Sequence, residues 1–452
     1  MNNYVKRFSI CLKSAFLFTL LFSNYIFSQN TKFTPPDWSK NSVIYEVNVR
    51  QYTNEGTFKA FEKHLPELKK MGVDILWLMP IHPIGELNRK GTLGSYYAVK
   101  DFKAVNPEFG THEDFKNLVS KIHELKMSVI IDWVANHTSW DNVWTKTHPE
   151  FFSKNNEGNY FPPVEDWADV IDLNFDNPDL RKEMIGSMKY WVDEFGIDGF
   201  RCDVAAMVPI EFWIEARIEL ERSKKLFMLA EASEPYLHKA FDMTYNWQLK
   251  DLMNDVAQGK KKGFDIIKYY AAEKKEYNAN DYRMVFTSNH DENTWHGTEY
   301  ERLGDGAETF AVLCGTVPGM PLIYTGQETG MNKRLRFFDK DTVGWKNDRM
   351  RGIYTTLNHL KENNKALWNG KSGGEAEFLE TGNDNILAFV REKEENVVFT
   401  VLNLSANKES VKIRNPHVKG NLKNLFDSND SVELPGELSL DMEPWNYKVY
   451  FK

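Results

Sequence analysis

From residue 43 onward, short β-rich runs alternate with stretches of helical periodicity, and their number leaves few architectures open. Seven runs stand out, "VIYEVNV", "VDILWLMP", "SVIIDWV", "IDGFRCDV", "LFMLAEA", "MVFTSNH" and "PLIYTG", and a weaker one at "KAFDMTYN" makes eight. Strands alternating with helices imply βαβ units and a parallel sheet. Eight units over roughly 320 residues predict a (β/α)8 TIM barrel. An open doubly wound sheet would want a Gly-rich phosphate turn after its first strand, and no GxGxxG follows "VIYEVNV".

The barrel is expected over residues 29–365. Between the third strand and a helix starting near Pro178 lie some 40 residues rich in Trp, Pro and Asn, and a loop that long inside a compact domain is normally functional. It is read as a small inserted domain over residues 138–176. After "TLNHLKENNKALWNG" the pattern changes to short alternating runs such as "NILAFVRE", "NVVFTVLNL" and "WNYKVYF", which predicts a C-terminal antiparallel β-sandwich over residues 366–452.

One strand breaks the rule that buried strands are apolar. In "FGIDGFRCDVAAM" an arginine and an aspartate, Arg201 and Asp203, interrupt an apolar run. Side chains alternate along a strand, so Arg201 and Asp203 share one face while Phe200 and Cys202 take the other. An adjacent guanidinium favours the ionised carboxylate, so Asp203 is expected to be anionic at neutral pH, as a nucleophile must be. A buried ion pair that merely fixes the fold would read the same way from this stretch alone.

Catalytic groups of such barrels sit at the C-terminal ends of the strands. The third strand runs into "DWVANH", the fourth into "FRCD", the fifth into "LAE" and the seventh into "TSNHD". Asp203, Glu231 and Asp291 therefore converge on one rim with Arg201, His137 and His290. Glycoside hydrolysis needs a carboxylate pair flanking the scissile bond, one as nucleophile and one as proton donor. Glu231, with no arginine adjacent in sequence, is the natural donor, its pKa raised by neighbouring negative charge.

Taken in order and spacing, "DWVANH", "GFRCDVA", "AEAS" and "FTSNHD" resemble the four signature regions of the α-amylase family, glycoside hydrolase family 13, and "GSYYAVKDF", "VIDLN" and "PGMPLIYTGQE" extend the resemblance. It implies a retaining α-glucan hydrolase acting on α-1,4 bonds of starch-like polymers or maltooligosaccharides. By the same resemblance Asp203 is the nucleophile, Glu231 the general acid/base and Asp291 the carboxylate that binds sugar hydroxyls, with Arg201 orienting Asp203. His137 and His290 are similar to the hydroxyl-binding histidines of the family and Tyr97 to the platform beneath the reacting sugar. Asn136 and Asp172 match positions that in many members bind a structural calcium (Ca2+). No organic cofactor is implied. The carboxyls of Asp203 and Glu231 should lie roughly 5 to 5.5 Å apart, the retaining geometry.

The match departs in places. Many α-amylases carry a Lys-His pair three and four residues after the nucleophile, where this chain has Ala206 and Met207. Val204 and the "DLN" of residues 172–174 also occur in relatives that cleave α-1,6 bonds or transfer glucosyl units, so that alternative stays open. A catalytically dead family member serving as a binding subunit is the reading from another class, and the intact carboxylates argue against it. Trp140, Trp144, Trp167 and Trp295 are candidates for stacking on sugars.

The remaining constraints are compositional. A net charge of −9 with 27% charged residues excludes a basic face for nucleic acid. Lys6, Arg7 and Lys13 flank or precede the apolar run "AFLFTLLFSNYIF", and the chain then turns polar at "SQNTKFTPP". This reads as a signal peptide over residues 1–28, hence an exported, periplasmic or extracellular protein with no membrane span in the mature chain. Cys11 would leave with it. Cys202 and Cys314 are too few for a disulfide scaffold and are expected to be free buried thiols.

Overall fold

The computed structural model describes residues 33–452. The signal peptide expected at residues 1–28 lies outside them. Eight parallel strands close into a barrel in the order β1-β10-β9-β8-β7-β6-β3-β2. They are β1 (Ile44–Val47), β2 (Ile75–Leu78), β3 (Ser128–Trp133), β6 (Gly199–Cys202), β7 (Phe227–Ala230), β8 (Met243–Tyr245), β9 (Tyr282–Val285) and β10 (Met320–Tyr324). The weak run at residues 239–246 thus supplies β8.

Strand alternation splits the apolar residues into two layers. Ile44, Ile75, Trp77, Ile130, Leu229, Met284 and Leu322 fill the barrel interior. Val43, Tyr45, Val47, Leu76, Phe200 and Cys202 point outward into the layer beneath the helices. Helix ends follow local chemistry: Asn177 caps the helix Pro178–Phe195 by accepting from the backbone N–H of Asp179 at 2.9 Å, and Gly196 ends it in the left-handed conformation at φ 72°. Gly199 is required for a different reason, since a Cβ there would sit 1.9 Å from the Phe227 carbonyl oxygen across the β6–β7 pair.

The segment between β3 and that helix carries a two-stranded antiparallel ribbon, β4 (His137–Ser139) with β5 (Val170–Asp172), which pairs His137 with Asp172. Beyond the last barrel-side helix, Arg349–Asn363, come β11 (Ala376–Phe378), β12 (Ile386–Lys393), β13 (Asn396–Asn403), β14 (Glu409–Asn424), β15 (Ser431–Met442) and β16 (Tyr447–Phe451). They are antiparallel, and their hydrogen bonds join them into one six-stranded sheet, β11-β12-β13-β16-β14-β15. Strands β12 and β13 are buried on both faces, whereas β14 and β15 bury one face and expose the other. Leu387, Phe389 and Val398 pack with Phe310, Leu313 and Leu357 of the barrel helices, whereas Ile386, Ala388 and Phe399 pack with Ile413 and Leu422 of β14 and Leu434 of β15. Cys202 and Cys314 are free and buried. No helix among the described residues is long and apolar enough to cross a membrane.

Candidate active site

The β3–β6 register sets Asp132 opposite Arg201, and the β6–β7 register aligns Cys202 with Ala230. Asp203 and Glu231 therefore leave their strands side by side. Arg201 is wholly buried between them. Its Nη1 donates to Asp132 Oδ1 and to Asp203 Oδ1, both at 2.8 Å, and its Nε to the Tyr245 hydroxyl at 3.1 Å. Nη2 lies 2.9 Å from Glu231 Oε1, a close ionic contact off the N–H axis. Glu231, which has no arginine adjacent in sequence, shares the one that holds Asp203. The reason is tertiary: parallel pairing puts residues 30 positions apart at the same height.

Electrostatics separates the two carboxyls. Burial pushes Asp203 up and Arg201 pulls it back, leaving it at about 6. Glu231 is raised by burial and by the Asp203 and Asp291 charges against the pull of Arg201, to about 8. Asp132, raised by burial and lowered by Arg201, also reaches about 6. At pH 7 the arrangement thus places an ionised Asp203 beside a protonated Glu231. Burial contributes more to the Glu231 shift than the like charges that the sequence pointed to.

Val204 adds a backbone device. It sits in the left-handed region at φ 36° and ψ 47°, rare for a β-branched residue and held only where the surroundings enforce it. That conformation aims its N–H at Glu231 Oε2, at 2.8 Å.

The two histidines, grouped together by sequence, divide into different charge states. His137 Nε2 lies 4.0 Å from Asp203 Oδ2, and burial lowers its pKa to about 3, so it is neutral. His290 is opposed by burial too, but Asp291 and Glu46 outweigh it and raise the imidazole to about 9. Its Nδ1 meets Glu46 Oε1 at 2.5 Å and its Nε2 lies 3.2 Å from Asp291 Oδ2. Tyr97 stacks on His290 with ring centroids 5.4 Å apart and donates to Asp132 Oδ2 at 3.1 Å. All the residues expected at the site thus converge, apart from Asn136 and Asp172.

Asp291 opens a five-residue π-helix, Glu292–His296, a form that is rare and concentrated at functional sites. Asn293 and Thr294 lock that helix to the loop after β10: Asn293 Nδ2 donates to the Lys333 carbonyl at 3.0 Å and Asn293 Oδ1 accepts from the Leu335 N–H at 2.8 Å, while Thr294 donates to the Leu335 carbonyl at 3.0 Å. The result is an aromatic wall. Phe337 stacks parallel to Tyr97 at 6.1 Å, and Trp295, 49% exposed, lies 5.4 Å from Phe337. A cleft of about 640 Å³ runs past Glu231 and Asp291 to Trp247, Lys250 and Trp295. Of the other tryptophans, Trp144 is buried against Phe102 at 4.8 Å and is core packing, Trp140 is tied to the Ala168 carbonyl at 2.9 Å, and Trp167 lies 5.3 Å from the His137 ring.

Asn136 and Asp172 sit on adjoining backbone, Leu173 N–H donating to the Asn136 carbonyl at 3.3 Å. The Asn136 amide, however, is turned on the His137 ring, its Nδ2 3.3 Å from Nδ1. Among the described residues no three His, Cys, Asp or Glu side chains converge as metal ligands. Calcium takes six to eight oxygens, backbone and amide carbonyls among them, and the side chains of Asn136 and Asp172 by themselves fall short of that number.

Sequence reasoning left Glu46, Asp132, Phe337 and Trp77, whose indole N–H donates to Asp132 Oδ2 at 3.1 Å beneath the Arg201 guanidinium, without roles. The first two carried a signal, each being the lone acid in an apolar strand run, "VIYEV" and "SVIID". The aromatic residues carried none, because their partners are remote in sequence.

A closed parallel barrel with buried carboxyls of opposed protonation at its strand ends defines a glycosidase of the two-carboxylate type. Comparison with known proteins names the family. The α-amylase catalytic-domain model matches residues 27–171 and 164–380, and the maltogenic-amylase C-terminal domain model matches residues 376–449. Alpha-amylase 3 of Dictyoglomus thermophilum is 28% identical over 479 residues, covering 88% of this chain and 91% of its own. The crystal structure of a maltogenic α-amylase, AmyB, from Thermotoga neapolitana superposes with a TM-score of 0.83 at 31% identity, covering 91% of this chain and 98% of that one. An α-amylase structure from Lactobacillus plantarum gives 0.82 at 30%, with 92% and 99% covered. The chain belongs to the α-amylase family and is a glycoside hydrolase.

Proposed function

We propose that the protein cleaves α-1,4-glucosidic bonds of starch-like glucans or maltooligosaccharides with retention, through a glycosyl-Asp203 intermediate. The observation that carries this is the pair Asp203 and Glu231 on one guanidinium, the first titrating at about 6 and the second at about 8. Retaining glycosidases hold their two carboxyls about 5 to 5.5 Å apart, and the closeness of Asp203 and Glu231 to one guanidinium, at 2.8 and 2.9 Å, supports that reading. In the first step an Asp203 oxygen attacks the anomeric carbon as the glycosidic C–O bond breaks, and Glu231 gives its proton to the leaving oxygen. In the second, Glu231 takes a proton from water, which attacks the same carbon and expels Asp203.

The other groups bind and position. Tyr97 and Phe337 supply faces for sugar rings, His290 as imidazolium and Asp291 bind hydroxyls, and neutral His137 accepts or donates beside Asp203. Arg201 and Asp132 position the nucleophile. The relatives named α-amylase and maltogenic α-amylase support an α-glucan substrate. The polar turn after an N-terminal apolar run supports export.

A second reading keeps the chemistry and changes the acceptor or the linkage. Met207, 46% exposed beyond the end of β6, gives the leaving-group side an apolar surface where many α-amylases carry a Lys-His pair, and an apolar surface favours a sugar acceptor over water. Product analysis by chromatography and anomeric NMR on maltoheptaose, pullulan and isomaltooligosaccharides, with Asp203→Asn as control, separates the two. Short α-configured maltooligosaccharides from maltoheptaose alone support the first; products longer than the substrate, or preference for pullulan or isomaltooligosaccharides, support the second. β-configured products would sink both.

A further inference from the structure

Past Glu231 the chain leaves the barrel wall. The Glu231 N–H donates to the Cys202 carbonyl at 2.9 Å and the Tyr245 N–H to the Ala232 carbonyl at 2.8 Å. The segment then turns away into a short 3-10 helix, Pro235–Lys239. The acid/base therefore sits where strand pairing stops, and its placement depends on what holds the residues just after it.

Ser233 is held by side chains from distant elements. Its carbonyl accepts from the Tyr277 hydroxyl and from Arg283 Nη1 at 3.3 Å. Its hydroxyl accepts from Gln248 Nε2 at 3.3 Å, and Gln248 Oε1 accepts in turn from Arg283 Nη2 at 3.3 Å. One guanidinium thus holds Ser233 twice, directly through the backbone and indirectly through Gln248.

Strand geometry explains how Arg283 reaches it. Ala230, Thr244 and Arg283 lie level across β7, β8 and β9. Tyr282 and Met284 fill the barrel interior, so Arg283 points outward, behind the wall that carries Glu231. Arg283 is buried and fixed on every side. Its Nε donates to Glu273 Oε1 at 3.0 Å, Nη1 donates also to the Thr244 hydroxyl, and its face lies on the Tyr277 ring at 4.0 Å. Glu273 is fixed in turn by the Tyr269 hydroxyl at 2.5 Å and Asn246 Nδ2 at 3.1 Å. Neutralising Glu273 takes one nitrogen of the fork; the other two are directed toward Ser233. A planar fork pinned in this way acts as a rigid strut.

We propose that Arg283, assisted by Tyr277, is a positioning residue for Glu231, holding the Ser233 carbonyl so that the Glu231 carboxyl meets the glycosidic oxygen. Arg283 lies outside the barrel wall and does not reach the sugar. The proposal rests on the reading of Glu231 as proton donor. A backbone shift after Glu231 would draw its Oε2 off the Val204 N–H, now 2.8 Å away, and a misplacement of about 1 Å can cost ~10²-fold in rate.

The test compares two leaving groups. A departing sugar needs the Glu231 proton, whereas fluoride leaves α-maltotriosyl fluoride as the anion, and kcat/KM reports the steps up to the covalent intermediate for both. Glu231→Gln, the reference, should lower kcat/KM about 10²-fold or more on maltoheptaose and far less on the fluoride. Arg283→Met should show the same split, losing about 10- to 100-fold on maltoheptaose, and Arg283→Lys, which keeps the charge but not the fork, should recover part of that loss. Tyr277→Phe removes one hydroxyl from a half-buried ring, so it decides the matter even if Arg283→Met fails to fold, and should lose about threefold on maltoheptaose alone. With the split present in Glu231→Gln, equal losses on both substrates, or none, in Tyr277→Phe or in folded Arg283→Met overturn the proposal. If Glu231→Gln itself loses both substrates equally, the proton-donor reading fails, and the proposal with it.

Discussion

Arg201 is the residue on which most of the site's electrostatics rests, so neutralising it should move the whole pH profile. The guanidinium lies 2.8 Å from Asp132 and Asp203 and 2.9 Å from Glu231, fully buried. It lowers the pKa of all three carboxyls, against burial that raises them. In the native enzyme kcat/KM should climb with pH as Asp203 ionises near 6 and fall as Glu231 loses its proton near 8. An adjacent opposite charge is worth about 1–3 pKa units, so Arg201→Met should shift both limbs to higher pH by about that much. With Asp203 raised by about two units, only about one molecule in ten is ionised at pH 7, and protonation alone costs about tenfold in rate. Breaking the buried pairs costs a further ~3–5 kcal/mol of stability. Arg201→Lys keeps the charge but not the fork, and should fold with limbs shifted less. The assay is kcat/KM on maltoheptaose from pH 4 to 10 for all three proteins. Folded variants with both limbs where the native enzyme has them would refute the reasoning.

Other outcomes follow from the same geometry. Asp203→Asn should lower kcat by about 10⁴-fold or more with a Tm within a few degrees of the parent, and retained turnover would mean that another group is the nucleophile. Glu231→Gln should raise Tm relative to the parent at pH 9 but not at pH 4. A carboxyl whose folded pKa is raised contributes stability below its unfolded pKa, near 4.5, and loses that contribution as pH rises through about 8; equal differences at both pH values would contradict the assignment. Trp295→Ala should reduce kcat/KM about two- to tenfold on maltoheptaose, the worth of one stacked ring, and less on maltotriose. Chelation with EDTA should leave Tm and activity essentially unchanged, since Asn136 and Asp172 do not assemble a calcium cage; a drop of many degrees on chelation, reversed by calcium, would show that backbone carbonyls complete one.

Much of this protein was legible in the chain alone. Periodicities of two and of 3.6 are carried by residues near one another in sequence, so the eight strand-helix units, the inserted segment and the antiparallel C-terminal module could be read in order. The same locality put Asp203, Glu231 and Asp291 at strand ends, and strand alternation placed Arg201 with Asp203 rather than with Phe200. Tertiary structure decided the rest, because protonation depends on desolvation and on charges brought close through space. Only the β3–β6–β7 register hands Glu231 and Asp132 to the guanidinium of Arg201. Burial and the charges gathered round Arg201 order Asp203 below Glu231, and Glu46, 244 residues away, joins the adjacent Asp291 in making His290 a cation while His137 stays neutral. The aromatic wall of Phe337 and Trp295 and the Arg283 fork behind Glu231 exist where loops and strands distant in sequence meet, and no local pattern encodes that meeting.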